Sequence, residues 1–247
     1  MRPMESSNQQ SSPTSDQVFY DQEPIGTLEE HANWMREIEF YFQGYSDYLN
    51  MVLAGSNGYV AELGAGSCGL SVCLSRMENV KRITSVDISM RRMQKMIDLS
   101  VSILGGDKRK IQPIACDFNG RLPFEDGELD AVVFDAALHH SRSMWATLSE
   151  CNRVLKKGGI LIAQRESYLS ALRSKKQIAF LLESPEIAAN VSENMYLLEQ
   201  YVYYLRVGGF SADFVKRTKS KTKSILSFFN GSLFTDGVLI CRKHLSC

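Results

Sequence analysis

The stretch from Val60 to Val72, VAELGAGSCGLSV, decides the fold. A short apolar run, Tyr59 to Leu63, enters a glycine-rich turn and continues into residues of helical character, the order of a strand, a tight turn and a helix start. Inside it, Gly64-x-Gly66-x-x-Gly69 matches the dinucleotide-binding pattern letter for letter. Such a turn lets the backbone approach a ligand closely and aims free N–H groups from a positive helix end. The residue that discriminates is Glu62, two positions before Gly64. A carboxylate facing the mouth of the loop repels a pyrophosphate and suits a ligand carrying an ammonium group.

Working outward, strands and helices alternate at the spacing of parallel βαβ units. The pattern predicts a helix over 68–75, strands over 82–86, 111–116, 129–134 and 160–163, and helices over 89–104 and 143–155, the last stopped by Gly158-Gly159. Upstream, Leu28, Ala32, Met35, Ile38, Phe42, Tyr45, Leu49 and Val52 recur every three or four residues and predict one or two amphipathic helices. Residues 1–26, rich in Ser, Gln, Asn and Pro, read as a disordered or loosely docked arm. The expected organisation is that arm, a helical segment over 27–55 above the active site, an α/β core over 56–166, a helical cap inserted over 167–206, and a C-terminal hairpin over 207–247.

The chain has 247 residues, 44% hydrophobic and 23% charged, enough for one sizeable core. Lys+Arg and Asp+Glu balance at 28 each, so no global field draws it to nucleic acid or acidic membranes, and recognition must be local. The six cysteines form no C-x-x-C pair, which points to a reducing, cytoplasmic setting without a zinc site. No stretch of about 18 apolar residues is present to cross a bilayer.

With Glu62 as the key, ELGAGSCG (Glu62 to Gly69) resembles the first motif of the class I S-adenosylmethionine (SAM) dependent methyltransferases. Four further stations follow in register: SVDIS (85–89), CDFNGRLPFEDGELDAVVFDAALHH (116–140), RVLKKGGILIA (153–163) and LRVGGFSADFVKRT (205–218). The resemblance spans roughly 59–242 and is weakest over 167–200. It implies a Rossmann-like, seven-stranded, mostly parallel sheet with helices on both faces and an antiparallel last strand, plus the N-terminal helices and the cap. It implies that Glu62, Gly64, Ala65, Gly66 and Cys68 surround the amino-acid end of SAM, that Asp87 with Ile88 receives the ribose, and that Asp117 with Phe118 receives the adenine. Asp135 then touches SAM or orients its loop, and Gly69 serves the fold. The product is S-adenosylhomocysteine.

Methyl transfer from a sulfonium is an in-line displacement that needs alignment and water exclusion but no metal. A base helps only where the acceptor must lose a proton. His140 and His139, just past the fourth strand, are the candidate bases, although a pocket-shaping role explains them as well. Trp34 and Tyr41 on the N-terminal helix and Arg165 beyond the fifth strand are candidate acceptor contacts, with Arg165 and Glu166 otherwise read as a surface ion pair. Lys219 joins them from KRTKSKTK (216–223), five basic residues in eight, which is either a solvated loop or a site for an anionic acceptor. A small-molecule acceptor, most simply a hydroxyl of a sugar, nucleotide-linked sugar or secondary metabolite, leads. N-methylation, nucleic-acid methylation through 216–223, and SAM binding without catalysis are the alternatives. Charge neutrality and the absence of Asn/Asp-Pro-Pro-Tyr and Pro-Cys motifs weigh against nucleic acid.

Overall fold

The structure, a computed structural model, describes residues 14–23, 26–166, 168–169, 174–216 and 237–244. Within them the strands β1 (Tyr59–Leu63), β2 (Arg82–Asp87), β3 (Ile111–Ala115), β4 (Leu129–Asp135), β5 (Leu155–Gln164), β8 (Phe210–Lys216) and β9 (Gly237–Lys243) form one sheet in the order β3-β2-β1-β4-β5-β9-β8. The first five run parallel, and β9 lies antiparallel between β5 and β8. Strand order reverses between β1 and β4, the point where an open α/β sheet leaves a crevice beyond its carboxyl ends.

Residue parity along the strands divides two apolar cores. Val60, Ile83, Val133 and Ile162 face the helices α2 (Leu28–Phe42), α3 (Ser46–Leu53), α4 (Gly69–Ser75) and α5 (Met90–Leu104). Ala61, Leu63, Val132, Phe134 and Leu161 face α6 (Met144–Val154) and α9 (Leu198–Val207). Burial on both faces explains why these strands read as continuous apolar runs rather than alternating ones. Helix starts follow local capping chemistry: Thr27 and Glu30 form a reciprocal box at α2, and the Ser89 hydroxyl accepts from Arg92 N at 3.1 Å to open α5.

Three details differ from the sequence reading. The helix expected to end at Gly158-Gly159 ends at Val154, and β5 already begins at Leu155. The glycines instead absorb an irregularity inside β5, where the register jumps from Leu129 opposite Leu155 to Ala131 opposite Ile160, with Gly158 at φ +74°. The cap is only partly helical: α7 (Ser174–Leu182) and α8 (Pro185–Ala188) accompany a two-residue parallel pairing of β6 (Tyr168–Leu169) with β7 (Tyr196–Leu197). Helix α9, placed within the cap by sequence, packs Tyr201 and Leu205 into the second core.

The third difference lies in the arm. Residues Ser15–Gln22 form a helix, α1, docked on the sheet's carboxyl edge. It has no buried residue, so polar bonds hold it where apolar anchors are lacking. Ser89 Oγ and Arg91 Nη1 donate to Asp21, Arg92 pairs with Glu23, and Arg142 bonds Asp16 at 3.1 Å.

Helix α4 approaches α2 through a glycine. A Cβ on Gly69 would stand 2.6 Å from Ile38 Cδ1 and 2.8 Å from Met35 Cε. Gly69→Ala is expected to lower unfolding free energy by about 1–3 kcal/mol through overpacking, measurable by denaturant titration.

Candidate functional site

The crevice at the strand-order reversal holds a cavity of about 210 Å³. Its floor is the glycine turn. Gly64 N and Ala65 N donate to Val86 O at 2.8 and 3.0 Å, tying the turn to β2. Gly64 adopts φ +71°, and a Cβ there would lie 2.6 Å from Ala137 Cβ and 3.4 Å from a Phe118 ring carbon. Only glycine permits both the dihedral and the approach. Gly66, at φ +48°, donates its N–H to Asp87 Oδ2 at 2.7 Å.

Of the residues expected around the cofactor, Gly64, Ala65, Gly66, Asp87, Ile88, Asp117, Phe118 and Asp135 all line this cavity. Asp87 ends β2 and accepts from Ser89 N at 2.8 Å as well as from Gly66; burial raises its carboxyl pKa, against the pull of those two N–H groups. Asp117 accepts from Asn119 N at 2.9 Å and pairs with Arg142, which also holds Asp16 of α1. Asp135 ends β4 under a bidentate Arg165 guanidinium, Nε to Oδ1 and Nη2 to Oδ2 both at 2.7 Å. Ser67 and Asn119, inside the quoted motifs but given no role there, and Arg92, outside them, also line the cavity.

Two expected contacts stand elsewhere. Glu62 does not face the cavity mouth. It is buried beneath the turn, accepting from Ser71 N at 2.8 Å and from the Ser71 hydroxyl. The reason is local: Cys68, the residue preceding α4, makes no side-chain cap, so the helix's third N–H takes Glu62 as its acceptor. Cys68, at φ 60°, is fully buried in the first core, and burial pushes its thiol well above the ordinary value.

The acceptor candidates divide similarly. Trp34 lines the cavity, its ring 4.2 Å beneath the Arg165 guanidinium carbon. Tyr41, seven residues along α2 from Trp34, is buried in the first core and does not line the cavity. Arg165 is not on the surface with Glu166; it is buried against Asp135. Lys219 and the rest of the basic stretch beyond Lys216 lie outside the described residues.

Glu166 has a different partner set. Its carboxylate accepts from the backbone N–H groups of Ala137, Leu138 and His139 at 3.0–3.1 Å and from His139 Nδ1 at 2.7 Å. Burial works against its ionisation, but His139 and the backbone donors outweigh it and hold the pKa below the usual carboxylate range. His139 is thereby turned into the protein, whereas His140 lines the cavity beside Tyr20 of α1, with ring centroids 6.1 Å apart. His140 Nδ1 meets Ser192 O at 2.8 Å and Glu193 Oε2 at 3.0 Å. Ligand atoms of His139, His140 and Glu193 lie within 4.8 Å of one another, each engaged in this hydrogen-bonded network. Tyr20, Glu186 and Glu193 carried no signal in the sequence, since the arm and the cap contain no periodic or motif pattern.

Comparison with known proteins agrees with this geometry. Residues 61–163 match the family model of the methyltransferase domain. An uncharacterized chloroplastic methyltransferase of Arabidopsis thaliana is 29% identical over 123 residues, 49% of this chain and 34% of that protein. The demethylmenaquinone methyltransferase of Mycolicibacterium gilvum is 33% identical over 109 residues, 43% of this chain and 46% of that protein. The chain thus spans about a third to a half of the curated relatives it matches. Among solved structures, the complex of the Haloferax volcanii Trm112 methyltransferase activator with a methyltransferase aligns with TM-score 0.62 at 15% identity, covering 96% of this chain and 100% of that one. A SAM-dependent methyltransferase of Thermotoga maritima aligns at 0.54 and 18% identity, covering 93% and 99%. The 4+2 cyclase SpnF aligns at 0.56 and 18%, covering 83% of each chain. The strand order is that of the Rossmann-like α/β fold these solved methyltransferase structures share. More narrowly, the segment 61–163 is similar to the methyltransferase domain family.

The buried Glu62 makes stability depend on pH. Burial pushes its carboxyl up to about 8, Asp135 and Asp87 adding to the rise and the Ser71 bonds opposing it. The unfolded chain loses this proton near the ordinary value of 4.5, so between about 4.5 and 8 the folded state binds more proton and stability falls as pH rises. Glu62→Gln is expected to flatten that part of the stability curve, followed by chemical denaturation at stepped pH.

Proposed function

We propose that this chain transfers the methyl group of SAM to a small-molecule acceptor, with His140 receiving the acceptor's proton. The observation that carries the reading is His140, an imidazole on the wall of the same cavity whose floor is the Gly64 turn. The residues fit the cofactor: a turn that a Cβ would fill, and carboxylates at the ends of β2 and β4 and after β3. Bound SAM supplies an electrophilic methyl on a positively charged sulfonium.

The chain's own part is positioning and proton handling. The Gly64–Gly66 backbone takes the amino-acid end, Asp87 the ribose hydroxyls, and Asp117 with Phe118 the adenine. The turn after β4 sets Ala137 and His140 against that frame, and α1 with Tyr20 narrows access by water. The acceptor heteroatom attacks the methyl carbon, the carbon–sulfur bond's electron pair passes to sulfur, and the acceptor's proton passes to His140. S-adenosylhomocysteine and the methylated acceptor are the products.

A hydroxyl is the leading acceptor, and an amine is the second reading. The described wall outside the cofactor frame carries Asp16, Glu23 and Glu186, and Glu186 has no ion-pair partner among the described residues. With Asp16 and Glu23 paired to Arg142 and Arg92, Glu186 tilts this wall toward a neutral or amine-bearing acceptor over an anion. The cyclase relative shares the fold without sharing the reaction its name states, so the acceptor side must be tested directly.

SAM and S-adenosylhomocysteine are expected to raise the melting temperature, by about 2.7 kcal/mol of stabilisation at a hundred times Kd, with no effect of NAD(P). Incubation of a metabolite extract with methyl-labelled SAM, followed by mass spectrometry, is expected to reveal an acceptor heavier by one methylene. His140→Gln is expected to lower kcat for that acceptor about 10²-fold or more while SAM affinity stays unchanged. Absence of labelled product across extracts, with SAM still bound, would favour a non-catalytic SAM-binding protein.

A further inference from the structure

Resting on the methyl-transfer reading, we infer that Glu193, a residue of the cap, is the positioning residue that makes His140 a base. The cap segment between α8 and β7 lies across the turn at Leu138–His140. Asn194 fastens it there, its Nδ2 donating to His139 O and to Ser141 O, both at 3.1 Å. On this clamp, the two groups that meet His140 Nδ1 are Ser192 O at 2.8 Å and Glu193 Oε2 at 3.0 Å. A carbonyl and a carboxylate both only accept, so Nδ1 carries the proton and donates it. In the neutral ring the lone pair then belongs to Nε2, the nitrogen left for the cavity that His140 lines.

Other groups near His140 act less directly. His139 stacks beside it with ring centroids 4.3 Å apart, and its own Nδ1 is committed to Glu166. Asp87 at the end of β2 and Glu166 behind His139 act through space, and Tyr20 of α1 presents a ring edge. Burial would depress His140's proton affinity, but Glu193, with the Ser192 carbonyl and Glu166 adding to it, more than offsets this, so its pKa is raised. Burial likewise opposes ionisation of Glu193, and the two imidazoles hold its carboxyl below the usual range. Orientation and basicity of His140 therefore come chiefly from the cap, outside the α/β frame. The same device implies an acceptor that carries a removable proton, an O–H or an ammonium N–H.

The test is a pH titration of the histidine ring signals of the intact chain by NMR, which needs no acceptor. The chain has four histidines, and His140→Gln identifies the His140 signal by its loss. The expected result is the Nδ1–H tautomer in the neutral ring and a midpoint above that of an ordinary histidine. In Glu193→Gln the midpoint is expected to fall, with Glu193→Asp restoring part of the rise. An Nε2–H tautomer in the unsubstituted chain, or an unchanged midpoint in Glu193→Gln, overturns the assignment; the tautomer reading stands even where the glutamine variant fails to fold. Once an acceptor is known, Glu193→Gln is expected to cost about tenfold or more in kcat. The acid limb of its rate profile is expected to move to lower pH, with SAM affinity unchanged, an outcome that loose packing alone does not produce. If the NMR result holds and no acceptor is methylated, the methyl-transfer reading fails while the Glu193–His140 pairing survives.

Discussion

The buried carboxylate of Glu166 organises the site. It lies just past β5 and gathers three successive N–H groups from the turn after β4, together with the His139 ring. A charged group this deeply buried is tolerable only when donors surround it, and here the donors belong to the turn that must be held. Two consequences follow from that one set of bonds. Ala137 is fixed where it meets the Gly64 turn, and His140 is presented to the cavity while its neighbour is withdrawn. Floor and wall of the cavity are therefore set by one hydrogen-bonded junction between two strand ends.

Around that junction, arginines link carboxylates that would otherwise repel one another. Arg165 satisfies Asp135 from one face and stacks on Trp34 from the other. Arg142 spans Asp117 and Asp16, joining the Asp117 side of the cavity to α1, and Arg92 pairs with Glu23 near Asp87. Each tie joins a cavity-lining element to the polar arm or the N-terminal helix. Helix α1, with no buried side chain, stays docked through bonds at Asp16, Asp21 and Glu23. The SpnF relative shows that this fold hosts other chemistry, which is why the residues above the frame, and not the frame, carry the functional argument.

Much of the frame was legible because strand periodicity, glycine turns and strand-end carboxylates are local signals. Asp87, Asp117 and Asp135 sit where strands stop, and a strand end in a parallel sheet points to the ligand edge whatever surrounds it. Gly69 was legible as a fold residue, and its would-be Cβ collides with α2. Glu62 was misread because a carboxylate before a glycine turn has two acceptable partners, a ligand's ammonium or the N–H groups of the following helix. Nothing in the sequence says which is nearer. Glu166 and Arg165 were misread for a related reason: just past β5, Arg165 takes a left-handed φ of +57°, and the two side chains part, Arg165 to Asp135 and Glu166 to His139.

By itself, then, the sequence determined the alternating α/β frame and the acidic residues at its strand ends, since these depend on patterns within about one element's length. The tertiary structure alone decided that α1 covers the cavity and that Glu193 reaches His140 across 53 residues of chain. Those contacts join the arm, the cap and two strand ends, and a hydrogen bond between residues so far apart leaves no mark in the local order of either partner.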